Sequence, residues 1–343
     1  MIGHHACSFM KLQKPNHLGP GDTIGIVAPS SAPPDPKAID RSVATLEALG
    51  FKVRLARNVR KRHGFLAGSD RERAADLMQM FQDRKVQAIL CVRGGYGSGR
   101  LLGLLDYQAI TENPKIFVGY SDITALHCAL LVKSGLVTFH GPMLNSDLNK
   151  EDVPPFTTES LLRTLMRPFP SGSIMQGLDS GGLQTGGRKR GRKVEKIAPI
   201  SFRKGKASGP LIGGNITLLC TLLGTPYLPS LKGSILFFED LDELPYRFDR
   251  MLTHLLNAGV LDQVAGVAVG INKNCEEVKK PGSVEYRQTL DDVIRERLVP
   301  LGVPVVSGLP VGHIPLNATL PIGVNATLDA NRGDLVITES AVL

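Results

Sequence analysis

The segment Gly119-Tyr120-Ser121-Asp122 sets a serine between a short apolar run and an amphipathic one. A strand-to-helix turn there projects the serine Oγ from the end of a sheet and aims the next backbone N–H the same way, the setting of a nucleophile elbow. The second glycine of G-x-S-x-G is missing, and a serine in that place serves equally well as the N-cap of the following helix. A second segment, Arg93-Gly94-Gly95-Tyr96-Gly97-Ser98-Gly99, is glycine-rich between a strand and a helix. Glycines let backbone N–H groups come close to a reacting atom, as an oxyanion hole requires. A dinucleotide cradle is the competing use, but no G-K-[ST] ending follows and the loop leaves a later strand than the first.

A serine hydroxyl is hardly ionised at neutral pH, so a nucleophilic Ser121 needs a histidine base and a group that orients it. The chain has eight histidines. His4 and His5 lie in the N-terminal tail, and His17, His63 and His254 occupy surface or helix positions. His127 falls about two turns into the helix after Ser121 and points away from its Oγ. His140, at the end of Val137-Thr138-Phe139, and His313, in Gly312-His313-Ile314-Pro315, both remain, and spacing does not choose between them. For the orienting carboxylate, Phe237-Phe238-Glu239-Asp240-Leu241-Asp242-Glu243 runs from an apolar strand into a cluster of acids. Glu239 stands nearest the buried end, where desolvation strengthens its effect on an imidazolium. A solvated acidic turn capping the helix of Arg247, Asp249 and Arg250 accounts for the same residues.

These residues need elements to hold them. Apolar runs at 24–28, 86–92, 116–118 and 137–139, with a further strand at 51–55, alternate with helical periodicity at 36–49, 71–82 and 122–133 and a helix starting at 100–105. That alternation predicts an α/β domain with a doubly wound parallel sheet, whose ligands bind at the carboxyl ends of the strands. Residues 168–208, rich in Gly, Ser, Pro, Lys and Arg, read as an inter-domain linker. Beyond it, helices at 216–223, 246–257 and 283–298 and strands at 234–238, 264–271, 303–307, 316–322, 325–329 and 335–338 predict a smaller mixed α/β domain with more antiparallel character. The expected division is 10–167, linker 168–208, and 209–343. The first nine residues fit no element, and Met10 is a candidate start.

The 343 residues suit about two domains. Apolar residues make up 42% and charged residues 21%, a globular composition with ample core. The formal charge of +8 is concentrated at 54–62 and 188–193, without the interleaved aromatics that stack on bases, which argues against nucleic acid. Five scattered cysteines without paired spacing read as reduced thiols. No leader-like apolar segment, no apolar run of membrane-spanning length and no zinc motif is present. The expectation is a cytoplasmic protein without cofactor or metal.

Taken in order, Gly21-Asp22-Thr23-Ile24-Gly25-Ile26-Val27-Ala28-Pro29-Ser30, Arg93-Gly94-Gly95-Tyr96-Gly97, Gly119-Tyr120-Ser121-Asp122, Phe139-His140-Gly141-Pro142, Gly213-Gly214-Asn215, Phe238-Glu239-Asp240, Tyr246-Arg247-Phe248-Asp249-Arg250 and Gly312-His313 resemble the LD-carboxypeptidase family of serine peptidases. The resemblance implies a triad of Ser121, Glu239 and His313, with an oxyanion hole from the backbone N–H groups of Asp122 and Gly95. It also implies an N-terminal nucleophile domain like that of class I glutamine amidotransferases, a smaller C-terminal domain carrying Glu239 and His313, and a homodimer. The implied substrate is a murein tetrapeptide that loses its terminal D-alanine in cell-wall recycling. The basic stretch 177–196 falls outside the matching motifs and reads either as a flexible loop or as a segment near the cleft that helps bind the anionic peptide. The resemblance assigns no donor for the substrate carboxylate. Three alternatives stand beside this reading. Hydrolysis of microcin-type peptidyl or aminoacyl nucleotides would use the same triad, though the chain has no Trp to stack a base. A non-catalytic nucleotide- or nucleic-acid-binding protein would use the glycine loop and basic stretch. A glutamine amidotransferase-like enzyme would ordinarily carry cysteine where Ser121 stands.

Overall fold

The computed structural model describes residues 11–35, 37–149, 153–178, 197–276 and 288–343. The segment up to Met10, residues 179–196 of the basic stretch and the first part of the helix expected at 283–298 lie outside the described residues. Five strands come first: β1 (Thr23–Val27), β2 (Lys52–Leu55), β3 (Ala88–Cys91), β4 (Ile116–Gly119) and β5 (Thr138–His140). They pair in parallel in the order β5-β4-β3-β1-β2. Every residue of β3, β4 and β5 is buried. Burial on both faces is why these strands appear in the sequence as unbroken apolar runs. β2 is an edge strand and alternates Lys52, Val53, Arg54 and Leu55 with exposed charges, which blunts the open edge.

Helices Lys37–Ala48, Asp70–Gln82 and Thr124–Ser134 follow β1, β2 and β4. The Asp70–Gln82 helix starts in a capping box: Ser69 Oγ accepts from Glu72 N, and the Glu72 carboxylate accepts from Ser69 N at 2.9 Å. Ser69→Ala removes half of that exchange and is expected to cost about 1 kcal/mol. In urea unfolding it should lower the midpoint at unchanged slope, and an unchanged midpoint would show that the cap contributes nothing.

The second half supplies β6 (Gly172–Ser173), β7 (Ile200–Arg203), β8 (Lys206–Asn215), β9 (Ile235–Glu239), β10 (Gly266–Gly270), β11 (Val305–Leu309), β12 (Leu320–Ile322), β13 (Asn325–Asp329) and β14 (Asp334–Ile337). Eight of them form one sheet in the order β6-β14-β13-β8-β9-β10-β11-β7. Its centre, β8-β9-β10-β11, is parallel, and the flanking pairs are antiparallel. The mixed character expected of this half is therefore the character of its sheet.

Three features differ from the sequence reading. β12 pairs antiparallel with β5 and extends the first sheet instead of the second. It covers an otherwise open edge, and its Pro321 is tolerated because the outer side of an edge strand needs no N–H. The stretch 168–208 carries β6, β7 and the start of β8, whose polar, exposed residues hide the period of strands paired only at the rim of a sheet. Helices Tyr107–Glu112 and Pro155–Met166 had no counterpart in the periodicity reading.

Among the described residues no helix is long and apolar enough to cross a membrane, and no group of three or more His, Cys, Asp or Glu is placed to hold a metal ion. Cys91, Cys128 and Cys275 are buried and unpaired, and Cys220 is partly exposed.

Candidate active site

The chain leaves β4 at Gly119 and turns at once. Ser121 has φ +64°, one of three non-glycine residues with positive φ among the described residues. Such a conformation costs about 1–3 kcal/mol and persists only where the surroundings impose it. A short 3-10 turn, Ser121–Ile123, leads into the Thr124–Ser134 helix, and no side chain caps either start. Ser121 is thus not held as an N-cap, and its Oγ faces a cavity of about 320 Å³.

Asp122 shows how the turn is imposed. Its carboxylate is buried and accepts from Ser30 Oγ at 2.5 Å and Ser98 N at 2.8 Å, while its carbonyl accepts from Ser98 Oγ. Ser30 follows β1 and Ser98 closes the glycine loop after β3, so one side chain ties three strand-end loops together. Arg73, buried on the Asp70–Gln82 helix, donates to the carbonyls of Pro29 and Gly97 and fixes two of the same loops from below. The glycine loop then presses on the elbow. A Cβ on Gly94 would stand 3.0 Å from Ser121 Cβ and 3.2 Å from both Ser121 Oγ and Asp122 N. Only a bare Cα allows that approach. Gly95, with φ +108°, lines the same cavity.

His313 arrives from the other sheet, on the loop between β11 and β12, and lines the cavity with Ser121. Its Nδ1–H donates to Glu239 Oε2 at 2.7 Å. Glu239 is the last residue of β9 and fully buried. A Cβ on Gly312, at φ +127°, would meet Glu239 Oε2 at 3.0 Å, so glycine here is what lets the loop pass over the carboxylate. The Pro155–Met166 helix holds the loop. Thr157 Oγ1 donates to Pro315 O at 2.6 Å and accepts from Asn317 N at 3.0 Å, and Ser160 Oγ accepts from Thr319 N at 3.0 Å. Asn317 Oδ1 in turn accepts from Gly312 N at 3.1 Å. The Tyr120 ring meets His313 edge-on at 5.0 Å between centroids.

Burial alone would lower the pKa of His313, but the hydrogen bond and charge of Glu239, with Asp240 and Asp147 adding, outweigh it and the net shift is upward. Burial pushes the Glu239 carboxyl up, and the hydrogen bond and charge of His313 only partly reverse this. The pair favours an imidazole whose Nδ1 carries the proton and whose Nε2 is left to accept one.

The other histidine candidate is placed differently. His140 is fully buried, both ring nitrogens lack a partner among the described residues, and burial holds its pKa well below the ordinary value. It packs against Tyr120 and Phe237 and does not line the cavity. His127 Nε2–H donates to Gly119 O at 2.8 Å, behind the elbow. The acidic run divides between its two readings. Glu239 and Asp240 are buried, Asp240 accepting from Asn215 Nδ2 at 2.7 Å and Thr217 Oγ1 at 2.7 Å, whereas Glu243 pairs with Arg247 on the surface at 3.3 Å.

Ser121, His313, Glu239, Gly95 and Asp122 are thereby brought to one place. Residue types alone did not signal the roles of Ser30, Ser98, Tyr120, Thr157 or Ser160, because each acts through a contact distant in sequence. Arg93 and Lys273 also line the cavity as its cations.

Comparison with known proteins finds two family models along the chain. Residues 24–141 match the LD-carboxypeptidase N-terminal domain, and residues 208–328 match the LD-carboxypeptidase C-terminal domain. A probable murein peptide carboxypeptidase of Bacillus subtilis (strain 168) is 40% identical over 325 residues, 94% of each chain. The microcin C7 self-immunity protein MccF of Escherichia coli is 32% identical over 337 residues, again 94% of each. The crystal structure of muramoyltetrapeptide carboxypeptidase from Oxalobacter formigenes superposes with a TM-score of 0.76 at 30% identity, covering 92% of this chain and 99% of that one.

Proposed function

The chain belongs to the LD-carboxypeptidase family, and from that premise we propose that it is a serine carboxypeptidase that releases terminal D-alanine from murein tetrapeptides, with Ser121, His313 and Glu239 as its triad. The observation that carries this reading is the 2.7 Å bond from His313 Nδ1 to the buried Glu239, at the wall of the cavity that Ser121 Oγ enters from a strained turn.

Ser121 Oγ attacks the carbonyl carbon of the terminal L-D peptide bond, and His313 Nε2 takes its proton. The oxyanion is held by the N–H groups of Gly95 and Asp122, each such donor typically worth about 10²–10³ in rate. His313 returns the proton to the leaving amine of D-alanine. Water, deprotonated by the same imidazole, then cleaves the acyl-enzyme. Glu239 keeps Nδ1 protonated and stabilises the imidazolium. The same reading places the enzyme in the cytoplasm as a homodimer, with residues 10–167 as the nucleophile domain and 209–343 carrying Glu239 and His313. The nucleotide-conjugate alternative shares the triad and rests on family membership alone.

The test is incubation of purified protein with a murein tetrapeptide ending in D-alanine, read by mass spectrometry. Loss of one D-alanine supports the proposal, and an intact peptide after incubation with folded protein refutes it. The pH profile gives a second check. Only neutral His313 accepts the serine proton, and its pKa is raised. Activity is therefore expected to fall with acidification through a midpoint above the ordinary histidine value of about 6.5. A midpoint below that value would contradict the coupling to Glu239.

A further inference from the structure

A carboxypeptidase must distinguish a chain end from an internal bond, and the terminal carboxylate is the group that differs. It lies within about one residue length, about 3.8 Å, of the scissile carbonyl. A reader of that carboxylate therefore has to be a donor close to Ser121 on the leaving-group side.

Resting on the peptidase reading, we infer that Arg93 is the residue that binds the terminal carboxylate of the substrate. Arg93 opens the glycine loop and lines the cavity. Its Nε donates to Gly94 O at 3.2 Å, which anchors the guanidinium over the loop. Its Nη2 would lie 3.4 Å from a Cβ on Gly95, and Gly94, one residue away, is the glycine pressed against Ser121. The guanidinium is thus held within reach of the group next to the scissile bond. No carboxylate among the described residues pairs with it, although Arg41, Arg54, Arg60, Arg73, Arg100, Arg247 and Arg297 all have acidic partners. A half-buried guanidinium left without an anion beside a nucleophile is a site for one, and its planar fork matches a carboxylate with two parallel hydrogen bonds.

One feature of the cavity favours Arg93 over its other cation. Lys273 is exposed at the rim and has no tether comparable to the bond from Arg93 Nε to Gly94 O. Binding at Arg93 would turn the carboxylate towards the glycine loop and set the scissile carbonyl against the N–H groups of the elbow. A substrate lacking the charge would lose both affinity and alignment.

The experiment separates this inference from the peptidase reading by measuring binding and cleavage independently. Ser121→Ala protein is titrated calorimetrically with a murein tetrapeptide ending in D-alanine and with its C-terminal carboxamide. The acid is expected to bind about 10²-fold more tightly than the amide. Adding Arg93→Gln should erase that difference while leaving amide binding nearly unchanged, and Arg93→Lys should restore part of it. A preference that survives Arg93→Gln, or one erased instead by Lys273→Met, overturns the assignment. Cleavage of the tetrapeptide by the unmutated enzyme with no acid–amide preference in Ser121→Ala overturns this inference and leaves the peptidase standing. A preference dependent on Arg93 without cleavage leaves the carboxylate site standing and overturns the peptidase. Failure of the folded Ser121→Ala protein to bind either peptide overturns both.

Discussion

Ser121→Ala is expected to reduce the release of D-alanine by about 10⁴–10⁶-fold, leaving only what the oxyanion donors and substrate positioning contribute without a nucleophile. The change removes one oxygen from a position that caps no helix, so the fold should survive it. Alanine retains the strained positive φ at residue 121, and any destabilisation should be the smaller part of the effect. Mass spectrometry of the tetrapeptide digest, with circular dichroism as the fold control, decides the matter. Undiminished release by well-folded Ser121→Ala protein would remove Ser121 from the mechanism. Trapping a covalent acyl-enzyme on the unmutated protein, absent from the variant, would be the positive counterpart.

Glu239→Gln should have the second-largest effect. The amide is nearly isosteric with the buried carboxylate, so the loop carrying His313 keeps its course over Gly312. The amide NH₂ can, however, donate to Nδ1 and favour the tautomer with the proton on Nε2, which cannot accept from serine. Loss of the corresponding carboxylate charge costs about 10⁴ in kcat in serine triads. A second consequence distinguishes positioning from mere structure. Glu239 contributes the upward shift of His313. Without it, the acid limb of the pH–rate profile should move to lower pH, because only the smaller contributions of Asp240 and Asp147 then oppose burial of the imidazole. A fall in kcat with an unmoved acid limb would mean that Glu239 supports the loop but does not set the protonation of His313.

Both experiments depend on a site whose parts come from separate sheets, and this is where sequence and structure divide. The buried strands β1, β3 and β4 were legible because parallel strands covered on both faces must be apolar throughout. The elbow at Ser121 was legible as a candidate because an apolar strand, one serine and an amphipathic helix leave little room for anything but a sharp turn. The ordered motifs, taken together, pointed to the family that the comparisons then showed. The helix Pro155–Met166 was not legible, although Thr157 and Ser160 on it hold the histidine loop. The strands at 172–173 and 200–203 were hidden among polar residues, since a rim strand needs backbone pairing and almost no apolar face.

What the sequence by itself determined was the set of buried elements and the short list of groups able to do chemistry, because apolar periodicity and residue type are local properties. What only the tertiary structure decided was which members of that list meet. His140 ends a strand and His313 follows one, and Glu239 and Glu243 stand four residues apart on one acidic run. Yet His140 is sealed among aromatic rings while His313 reaches Glu239 and the cavity, and Glu243 turns outward to Arg247. The same holds for Arg93, an ordinary cation in the sequence that becomes a candidate reader of chain ends beside Ser121. The physical reason is that partnership depends on where two sheets bring their loops together. That placement is set by packing summed over the whole chain, which no single stretch of sequence contains.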